Sequence, residues 1–287
     1  MFPNCSEPAA LEGLNWAVCY LTTGKHMDFY RSFLVVILLI TLAGPLALAF
    51  GFLGAFAKRA AFAPIRWIGV IYTSMVRGIP DLIFFLFVPI ALDQGLEWLR
   101  HQVKCPDWAE PVRQGNDFVV CQAAKLPLNS APAWMHDSYG FLLALVAFGL
   151  VIGAFAANVL DGALKAVPKG QIEAAEAIGL SKAQIRRRVE IPQMWIYALP
   201  GLSNLWQLLI KATPLLFLLG VQDVVYWARE LGGMKTSAYA YPHPDWRAWY
   251  FAGLLVFYLL LTWSSQIAFS RLGRRLTKGQ AIAGADL

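Results

Sequence analysis

Charged residues are scarce in this chain of 287 residues, since only 15% are Asp, Glu, Lys or Arg whereas 58% are hydrophobic. Globular proteins carry about 25% charged residues, and a single soluble core stops growing at about 250–300 residues. A soluble fold of this length could not bury so many apolar side chains. The composition excludes disordered, collagen-like and soluble nucleic-acid-binding proteins. It predicts an all-α membrane protein surrounded by a lipid bilayer, with no nucleic-acid partner.

Sequence patterns of enzymes are also lacking. The chain contains no Gly-x-x-x-x-Gly-Lys-Ser/Thr loop for nucleotide phosphates and no His-Glu-x-x-His pattern for a metal ion. Its four histidines fall on separate segments, and no paired carboxylates or nucleophile–base spacing stand out within an apolar run. We therefore expect no catalytic residue, metal or cofactor in this chain, which argues against a membrane enzyme.

A secretory signal peptide is not expected either, because Glu7 and Glu12 precede the first basic residue, Lys25. A helix needs about 20 apolar residues to cross a bilayer. Five segments reach this length, and two of them are interrupted by charges and helix-breaking residues. The predicted transmembrane helices lie near residues 30–57, 63–92, 138–160, 197–220 and 247–270.

The charged candidates for a substrate pathway or gate lie in the two interrupted spans. A charged side chain within a span costs about 2.5–3.5 kcal/mol on insertion scales and usually faces a cavity or a partner. The alternative is structural: an Arg–Asp pair and a lysine bound to helix-end carbonyls would only hold the spans together. These charged candidates are Arg77, Asp81 and Lys211. The uncharged polar residues Asn158, Gln207 and Thr213 are candidates as well.

The distribution of basic residues and cysteines indicates how the chain is oriented across the membrane. Thirteen Lys and Arg residues fall in one set of predicted loops and nine in the other, so the richer side is cytoplasmic. This places the N-terminus outside and the C-terminus inside. All four cysteines then lie outside, which favours an oxidising compartment such as a bacterial periplasm. The short closures Cys5–Cys19 and Cys105–Cys121 are the favoured disulfides, and free thiols are the alternative.

The topology divides the chain into a periplasmic arm (1–27), a transmembrane domain (28–275) and a cytoplasmic tail (276–287). Residues 93–137 form a periplasmic insertion that is too long for a simple connection. Apolar residues at helical spacing after position 221 predict an amphipathic helix at the membrane interface. The longest cytoplasmic segment is residues 161–195, called the coupling loop below.

Local signals predict two short helices in the coupling loop. Residues 172–178 can form the first helix, and Gly179 is placed to end it as a C-terminal cap. Ser181 and Gln184 fit a capping box that begins the second helix. A pair of short helices at an angle can occupy a groove of another protein and transmit force.

The second of these helices is expected to end after the three arginines at 186–188, where Pro192 stops it. Cations are favourable at a helix C-terminus, and proline cannot continue a helix interior. The alternative interpretation of this segment is a solvated basic loop that only fixes the membrane topology. Composition by itself favours the solvated loop, whereas the spacing of the residues favours the pair of helices.

The sequence Glu173-Ala174-Ala175, three residues, Gly179, nine residues and Val189-Glu190-Ile191-Pro192 resembles the EAA motif of ABC-importer permeases. The resemblance implies a type I ABC-importer permease fold with a cytoplasmic coupling-helix pair that docks on an ATPase. The residues implied in that coupling are Glu173, Ala174, Ala175, Gly179, Arg187, Ile191 and Pro192.

Further stretches are similar to the polar amino-acid uptake permeases. Residues 166–175 match their AVPKGQ-EAA run, and residues 77–80 and 209–213 are similar to their Arg-Gly-Thr-Pro and Leu-Leu-Lys-x-Ser/Thr segments. Residues 221–230 resemble the histidine, lysine–arginine–ornithine and opine branch. The resemblance covers about residues 30–92 and 138–275.

This resemblance implies the transmembrane subunit of an ATP-driven importer for a polar or charged amino acid, or an opine, in a bacterial inner membrane. The implied partners are an ATP-binding cassette ATPase dimer that binds ATP and Mg, a periplasmic solute-binding protein and a second permease subunit. A heterodimer is favoured over a homodimer. The alternatives are a permease for another small solute and a non-transport scaffold or channel subunit.

Three departures from the family pattern affect these expectations. The family usually has an acidic residue where this chain has Asn158, and often a basic one near Asp161. Ile79 replaces the usual threonine, and the insertion at 93–137 is longer than in a typical relative. The first two departures concern the ligand, and the third predicts an unusual outer contact.

Overall fold

The computed structural model describes residue 5 and residues 7–8, 11–108, 113–114, 117–128, 130–219 and 221–277, so residues 278–287 of the predicted tail lie outside it. Most of the described part is helical. Its α-helices are α1 (Gly13–Leu21), α2 (Gly24–Lys58), α3 (Ala63–Gly78), α4 (Asp81–Lys104), α5 (Ala133–Ala166), α6 (Lys169–Ala177), α7 (Lys182–Ile185), α8 (Ile191–Ala212), α9 (Val224–Gly232) and α10 (Arg247–Leu276). Two antiparallel two-residue strands, β1 (Arg113–Gln114) and β2 (Asp117–Phe118), lie in the insertion.

Four helices within the described residues are long and apolar enough to cross a membrane. The predicted span at 197–220 corresponds to α8 and a following 3-10 helix, Thr213–Leu219. The all-α fold is therefore confirmed, whereas the count of five spans and their direction stay predictions. The four long apolar helices are Gly24–Lys58, Leu82–Lys104, Trp134–Ala166 and Arg247–Leu276.

The predicted second span, residues 63–92, consists of two helices and not one. Helix α3 ends at Gly78, and Ile79 is extended with φ −122° and ψ 134°. A residue that precedes proline is disfavoured in the α conformation, so Pro80 explains the break. Helix α4 then begins at Asp81 and continues to Lys104. The sequence positions of Arg77 and Asp81 thus lie on different helices, and their side chains lie outside the described part.

Helices cross three of the predicted segment boundaries. Helix α4 continues through residues 93–104 of the predicted insertion, and α5 includes residues 133–137 as well as 161–166 of the coupling loop. Polar residues can extend a helix beyond the bilayer because water satisfies their side chains, and hydropathy alone does not show this.

One compact unit comprises the described residues within Met1–Thr41, Pro89–Ala144 and Ala212–Leu259. Its N-terminal arm is held by a disulfide between Cys5 and Cys19, whose Cα atoms are 5.6 Å apart. A second disulfide joins Cys105 to Cys121. These are the two short closures favoured by the sequence.

The insertion folds back along the C-terminal part of α4. The carboxylate of Glu97, a residue only 6% exposed, accepts hydrogen bonds from Lys125 Nζ at 3.0 Å and from the Leu126 amide at 3.1 Å. Arg100 Nε donates to the Ala124 carbonyl at 3.0 Å. Because these bonds tie it to one helix, the insertion has its own small structure, as its length suggested.

Tyr20 brings together two histidines that are far apart in sequence. Its hydroxyl lies 3.0 Å from His243 Nε2 and 3.3 Å from the Leu231 carbonyl oxygen. The hydroxyl of Tyr250 lies 3.3 Å from that of Tyr20 and 2.7 Å from His26 Nε2. His26 and His243 fall on separate segments of the sequence, as expected, but the structure joins them in a hydrogen-bonded network with two tyrosines.

Helix α9 is the amphipathic helix expected after position 221, and it buries Val224, Ala228 and Leu231. Asp223 caps its N-terminus, since its Oδ1 accepts from the amides of Val225 at 3.1 Å and Tyr226 at 2.9 Å. Asp223 is fully buried, and its Oδ2 has no hydrogen-bond partner within the described residues. The amides at the helix end thus stabilise Oδ1, whereas Oδ2 is buried without a polar contact from the described residues.

Stability is expected to decrease with rising pH because of Asp223. Burial raises the pKa of this carboxyl from 3.8 to about 6, which corresponds to about 3 kcal/mol. A raised folded pKa gives stability that is fully present below the unfolded pKa and is lost as the pH rises through the folded one. We expect Tm in detergent to fall between about pH 4 and about pH 7. Asp223→Asn keeps the capping oxygen and should remove this component, so an unchanged pH slope in the variant would contradict the assignment.

The other compact unit comprises the described residues within Leu42–Val88, Leu145–Lys211 and Leu260–Leu287. Small residues bring its helices close together, as is typical of membrane helices. A Cβ placed on Gly51 would lie 2.8 Å from Ala156 Cβ, and one on Gly54 would lie 2.8 Å from Ala157 Cβ. On α3, a Cβ on Gly69 would lie 2.6 Å from the backbone nitrogen of Lys58. Helices α2, α3 and α5 therefore pack almost backbone to backbone.

Candidate functional site

Helix α6 forms the first half of the coupling loop. It follows Pro168, which is extended with φ −60° and ψ 127° and accepts a hydrogen bond from the Gln171 amide at 3.1 Å. Ala175 is buried at 5% exposure, whereas Glu173 and Ala174 are exposed. The EAA residues therefore divide between one small side chain that packs α6 onto the protein and two that face away from it.

Gly179 ends this helix in the left-handed conformation, with φ +81°. Its amide donates to the Glu176 carbonyl at 2.9 Å, and the Leu180 amide donates to the Ala175 carbonyl at 3.1 Å. These two bonds form a Schellman motif, which reverses the chain and satisfies carbonyls at the helix end. The cap expected from the sequence is present, and it sets the direction in which the chain enters α7.

Ser181 begins α7 through the expected capping box. The Gln184 amide donates to Ser181 Oγ at 3.4 Å, and the Ser181 amide donates to Gln184 Oε1 at 2.8 Å. Ile185 is buried and fixes the short helix to the rest of the unit. Because both ends of the turn at Gly179 are capped, the angle between α6 and α7 is defined by hydrogen bonds within the loop itself.

The expectation that Pro192 stops the second helix is wrong. The chain passes from α7 through a π-helical turn, Arg186–Glu190, directly into α8. The Ile191 amide donates to the Arg186 carbonyl, five residues back, so the extra residue is accommodated in the π turn. Pro192 is the second residue of α8, so the continuous helix lacks one N–H donor at this position. The second coupling helix is therefore continuous with a long apolar helix.

The exposed surface of the coupling loop combines charged and apolar groups. Glu173, Gly179, Arg187 and Pro192 are exposed, Ile191 is half-buried, and Ile178 is 77% exposed. A side-chain hydrogen bond from Gln193 to Gln171 links α8 to α6. A cleft of about 780 Å³ also lies along the loop. Its lining residues include Ile172, Glu176, Lys182, Arg186 and Glu190.

Asn158 occupies the junction of three helices. Its Nδ2 donates to the Thr73 carbonyl at 2.9 Å, and its Oδ1 accepts from Lys58 Nζ at 3.3 Å. A carboxylate could accept from the lysine but could not donate to the carbonyl, because it has no N–H group. The amide at this position therefore suits its surroundings, whereas the acid usual in the family would leave the Thr73 carbonyl facing a negative charge.

Three further pathway candidates, Gln207, Lys211 and Thr213, lie on α8 and the 3-10 helix that follows it. Gln207 and Lys211 are four residues apart and share a face of α8, where Gln207 is half-buried and Lys211 is exposed. Thr213 is fully buried, and its hydroxyl lies 3.0 Å from that of Tyr258. Of these three residues, Lys211 is thus the most exposed and Thr213 the most buried.

The sequence did not reveal a cluster of charges around Asp161. Lys58, Arg59 and Lys165 all bind its carboxylate. A signal was present, since the Lys58–Arg59 pair directly follows one apolar run and Asp161 directly follows another on the same predicted side. Two such ends can pair only if the helices are neighbours, which requires knowledge of the fold.

Comparison with known proteins gives consistent results. Residues 47–278 match the family model described as "binding-protein-dependent transport system inner membrane component". The arginine ABC transporter permease protein ArtQ of Escherichia coli K12 is 32% identical over 237 residues, which cover 81% of this chain and 87% of that protein. HisQ of Salmonella typhimurium, a histidine/lysine/arginine/ornithine transport system permease protein, is 33% identical over 245 residues, with 84% and 89% covered.

A more distant relative and two solved structures extend the comparison. The octopine transport system permease protein OccQ of Rhizobium meliloti is 29% identical over 264 residues, covering 91% of this chain and 93% of that protein. A crystal structure of an amino acid ABC transporter with histidines aligns at a TM-score of 0.60, with 20% identity over 89% of this chain and 98% of that one. The inward-facing MetNI methionine ABC transporter aligns at 0.59, with 16% identity over 90% and 100%. These structural likenesses show a shared fold.

Proposed function

The chain belongs to the family of binding-protein-dependent transport system inner membrane components, and from this premise we propose that it is the transmembrane subunit of an ATP-driven amino-acid importer. Its substrate is a polar or charged amino acid or a related opine. The named relatives act on arginine, on histidine, lysine, arginine and ornithine, and on octopine. These compounds share an amino-acid backbone and a nitrogen-rich side chain, which is the basis for the proposed substrate class.

The coupling loop is the observation that carries this proposal. Its α6–Gly179–α7 turn is fixed internally by the Schellman motif and the capping box, and it presents Glu173, Arg187 and Ile178 outward. A rigid, exposed turn with mixed chemistry suits a groove on an ATPase subunit. The ATPase dimer would bind ATP and Mg, and this chain would contribute the mechanical link and no catalytic group.

Particular helices and residues of this chain would act in the proposed transport cycle. Closure of the ATPase dimer would displace α6 and α7, and the continuous helix through Arg186–Glu190 would pass the displacement to α8. Gln207 and Lys211, on one face of α8, are the proposed contacts for substrate along the pathway. Arg77, Asp81 and Asn158 are the other proposed pathway or gate residues.

The proposed assembly contains further partners. A periplasmic solute-binding protein would deliver the ligand on the side of α9 and the insertion, with the N-terminus outside and the C-terminus inside. Because five spans cannot enclose a pathway, a second permease is required, and a heterodimer is the proposed arrangement. The protein is accordingly proposed to be a multi-pass protein of a bacterial inner membrane.

Uptake by the reconstituted complex tests the function. The chain is purified with its ATPase, second permease and binding protein in proteoliposomes that contain ATP. We expect ATP-dependent accumulation of radiolabelled arginine or histidine that is suppressed by unlabelled ornithine or octopine, and to a smaller extent by glutamate. A complex that hydrolyses ATP in response to its binding protein but accumulates none of these compounds would contradict the amino-acid assignment. It would favour a permease for another small solute.

A further inference from the structure

Asp161 lies at the centre of a compact ionic cluster near the end of α5. Its side chain is 7% exposed, and Arg59 Nε donates to Oδ1 at 2.9 Å. Lys165 Nζ binds Oδ2 at 2.8 Å, and Lys58 Nζ lies 3.3 Å from the same oxygen. Arg59 Nη2 also donates to the Asp161 carbonyl oxygen at 3.1 Å. One buried carboxylate therefore holds three cations, and two of them come from the end of α2.

The three cations differ in their exposure to water. The side chain of Lys58 is 18% exposed and that of Arg59 is 34% exposed, whereas that of Lys165 is 69% exposed. Ion pairs at exposed sites contribute little, and partly buried, multiply bonded pairs contribute more. The contacts from Lys58 and Arg59 are therefore the important ones, and they join α2 to α5.

A second polar contact and the close helix packing extend this connection to α3. Asn158, one turn before Asp161, binds Lys58 and the Thr73 carbonyl of α3. The same three helices approach at glycines, because a Cβ on Gly153 would lie 2.6 Å from Phe50 Cβ and 3.0 Å from the Ala47 carbonyl oxygen. Helices α2, α3 and α5 are thus fixed by packing along their length and by Asp161 at one end.

That end of α5 leads directly into the coupling loop. Helix α5 ends at Ala166, and α6 begins at Lys169. Ala163 and Val167 are buried in one hydrophobic cluster with Met194 of α8. All of these residues belong to the same compact unit. A displacement of α6 is therefore transmitted to the last turns of α5, which include Asp161.

We propose that Asp161 is a positioning residue of the coupling mechanism. By binding Lys58, the last residue of α2, and the adjacent Arg59 to the end of α5, it makes α2, α3 and α5 follow α6 as one body. The inference rests on the proposed function. Without the carboxylate, α6 and α5 would move while the end of α2 lagged behind, and ATP hydrolysis would drive less transport.

The test measures substrate molecules imported per ATP hydrolysed in the reconstituted complex. Asp161→Asn keeps the shape and removes the charge, and we expect it to lower this ratio by at least about fivefold, the low end of typical coupling factors between linked sites. Arg59→Lys keeps the charge but loses the second bond to the Asp161 carbonyl, and its ratio should fall less. Asp161→Glu should recover part of the ratio. Arg271→Gln, which removes an exposed cation of α10 outside the cluster, is the matched control and should resemble the wild type.

The possible outcomes distinguish a role of Asp161 in coupling from a role in protein stability alone. If Asp161→Asn does not assemble, Arg59→Lys still decides the question. If either variant lowers Tm but imports the wild-type number of molecules per ATP, Asp161 is a stabilising residue only and the inference is overturned. If Gly179→Val uncouples the complex while the Asp161 and Arg59 variants do not, the inference fails and the proposed function stands. If none of these variants changes the ratio, the proposed role of the coupling loop fails as well.

Discussion

Replacing Gly179 with valine is expected to abolish ATP-driven import while leaving the protein in the membrane. Gly179 has φ +81°, a conformation that costs an L-residue about 1–2 kcal/mol and a β-branched residue more. The valine would break the Schellman motif, so the Leu180 amide would lose its bond to the Ala175 carbonyl. Helix α6 would then approach the ATPase at a changed angle, and closure of the ATPase would no longer move the spans.

Asparagine at the same position is the matched control, because it adds a side chain of similar size but tolerates the left-handed conformation. We expect Gly179→Asn to keep a substantial part of the transport. The measurements are uptake in proteoliposomes and stimulation of ATP hydrolysis by the binding protein. Wild-type uptake by the valine variant would show that the turn is not needed for coupling.

Replacing Gly69 with alanine is expected to prevent stable assembly of the protein. The new Cβ would lie 2.6 Å from the Lys58 nitrogen and 2.8 Å from the carbonyl carbon of Ala57, both backbone atoms. A flexible side chain could move aside, but these atoms cannot move without shifting α2 against α3. Overpacking costs about 1–3 kcal/mol, and occasionally more, and this contact lies next to the Lys58–Asp161 ion pair.

The readouts are the yield in the membrane fraction and Tm in detergent. Gly253→Ala on α10 is the control, because its Cβ would meet no atom within 4 Å. The substitution there should be neutral or stabilising by up to about 1 kcal/mol, since alanine favours a helix more than glycine does. Equal yields and Tm values for the two variants would contradict the close packing of α2 and α3.

The parts of the site that are predictable from sequence depend on short-range hydrogen bonds. The cap at Gly179 and the box between Ser181 and Gln184 involve residues at most five apart, and both are present as expected. Pro192 shows the limit of such rules. Proline is equally compatible with the end of one helix and the first turn of the next, and the π turn that decides between them has no sequence signal.

The features that the sequence did not predict depend on contacts between distant segments. His26 and His243 meet through Tyr20 and Tyr250, and the positions of the two histidines differ by more than two hundred residues. Beyond the predicted span, Glu97 and Arg100 of α4 bind the returning insertion. Asp161 pairs with cations about one hundred residues away. Only the packing of the helices determines which of these groups become neighbours.

Because α7 continues without a break into α8, a small rotation of the second coupling helix is amplified along the length of α8. The 22 residues of α8 correspond to about 33 Å. A tilt of about 10° at Ile191 would therefore displace the far end, where Lys211 lies, by about 6 Å. Such a movement exceeds the reach of a hydrogen bond, so the Lys211 ammonium could release one set of contacts and take up another without any change in the fold of α8.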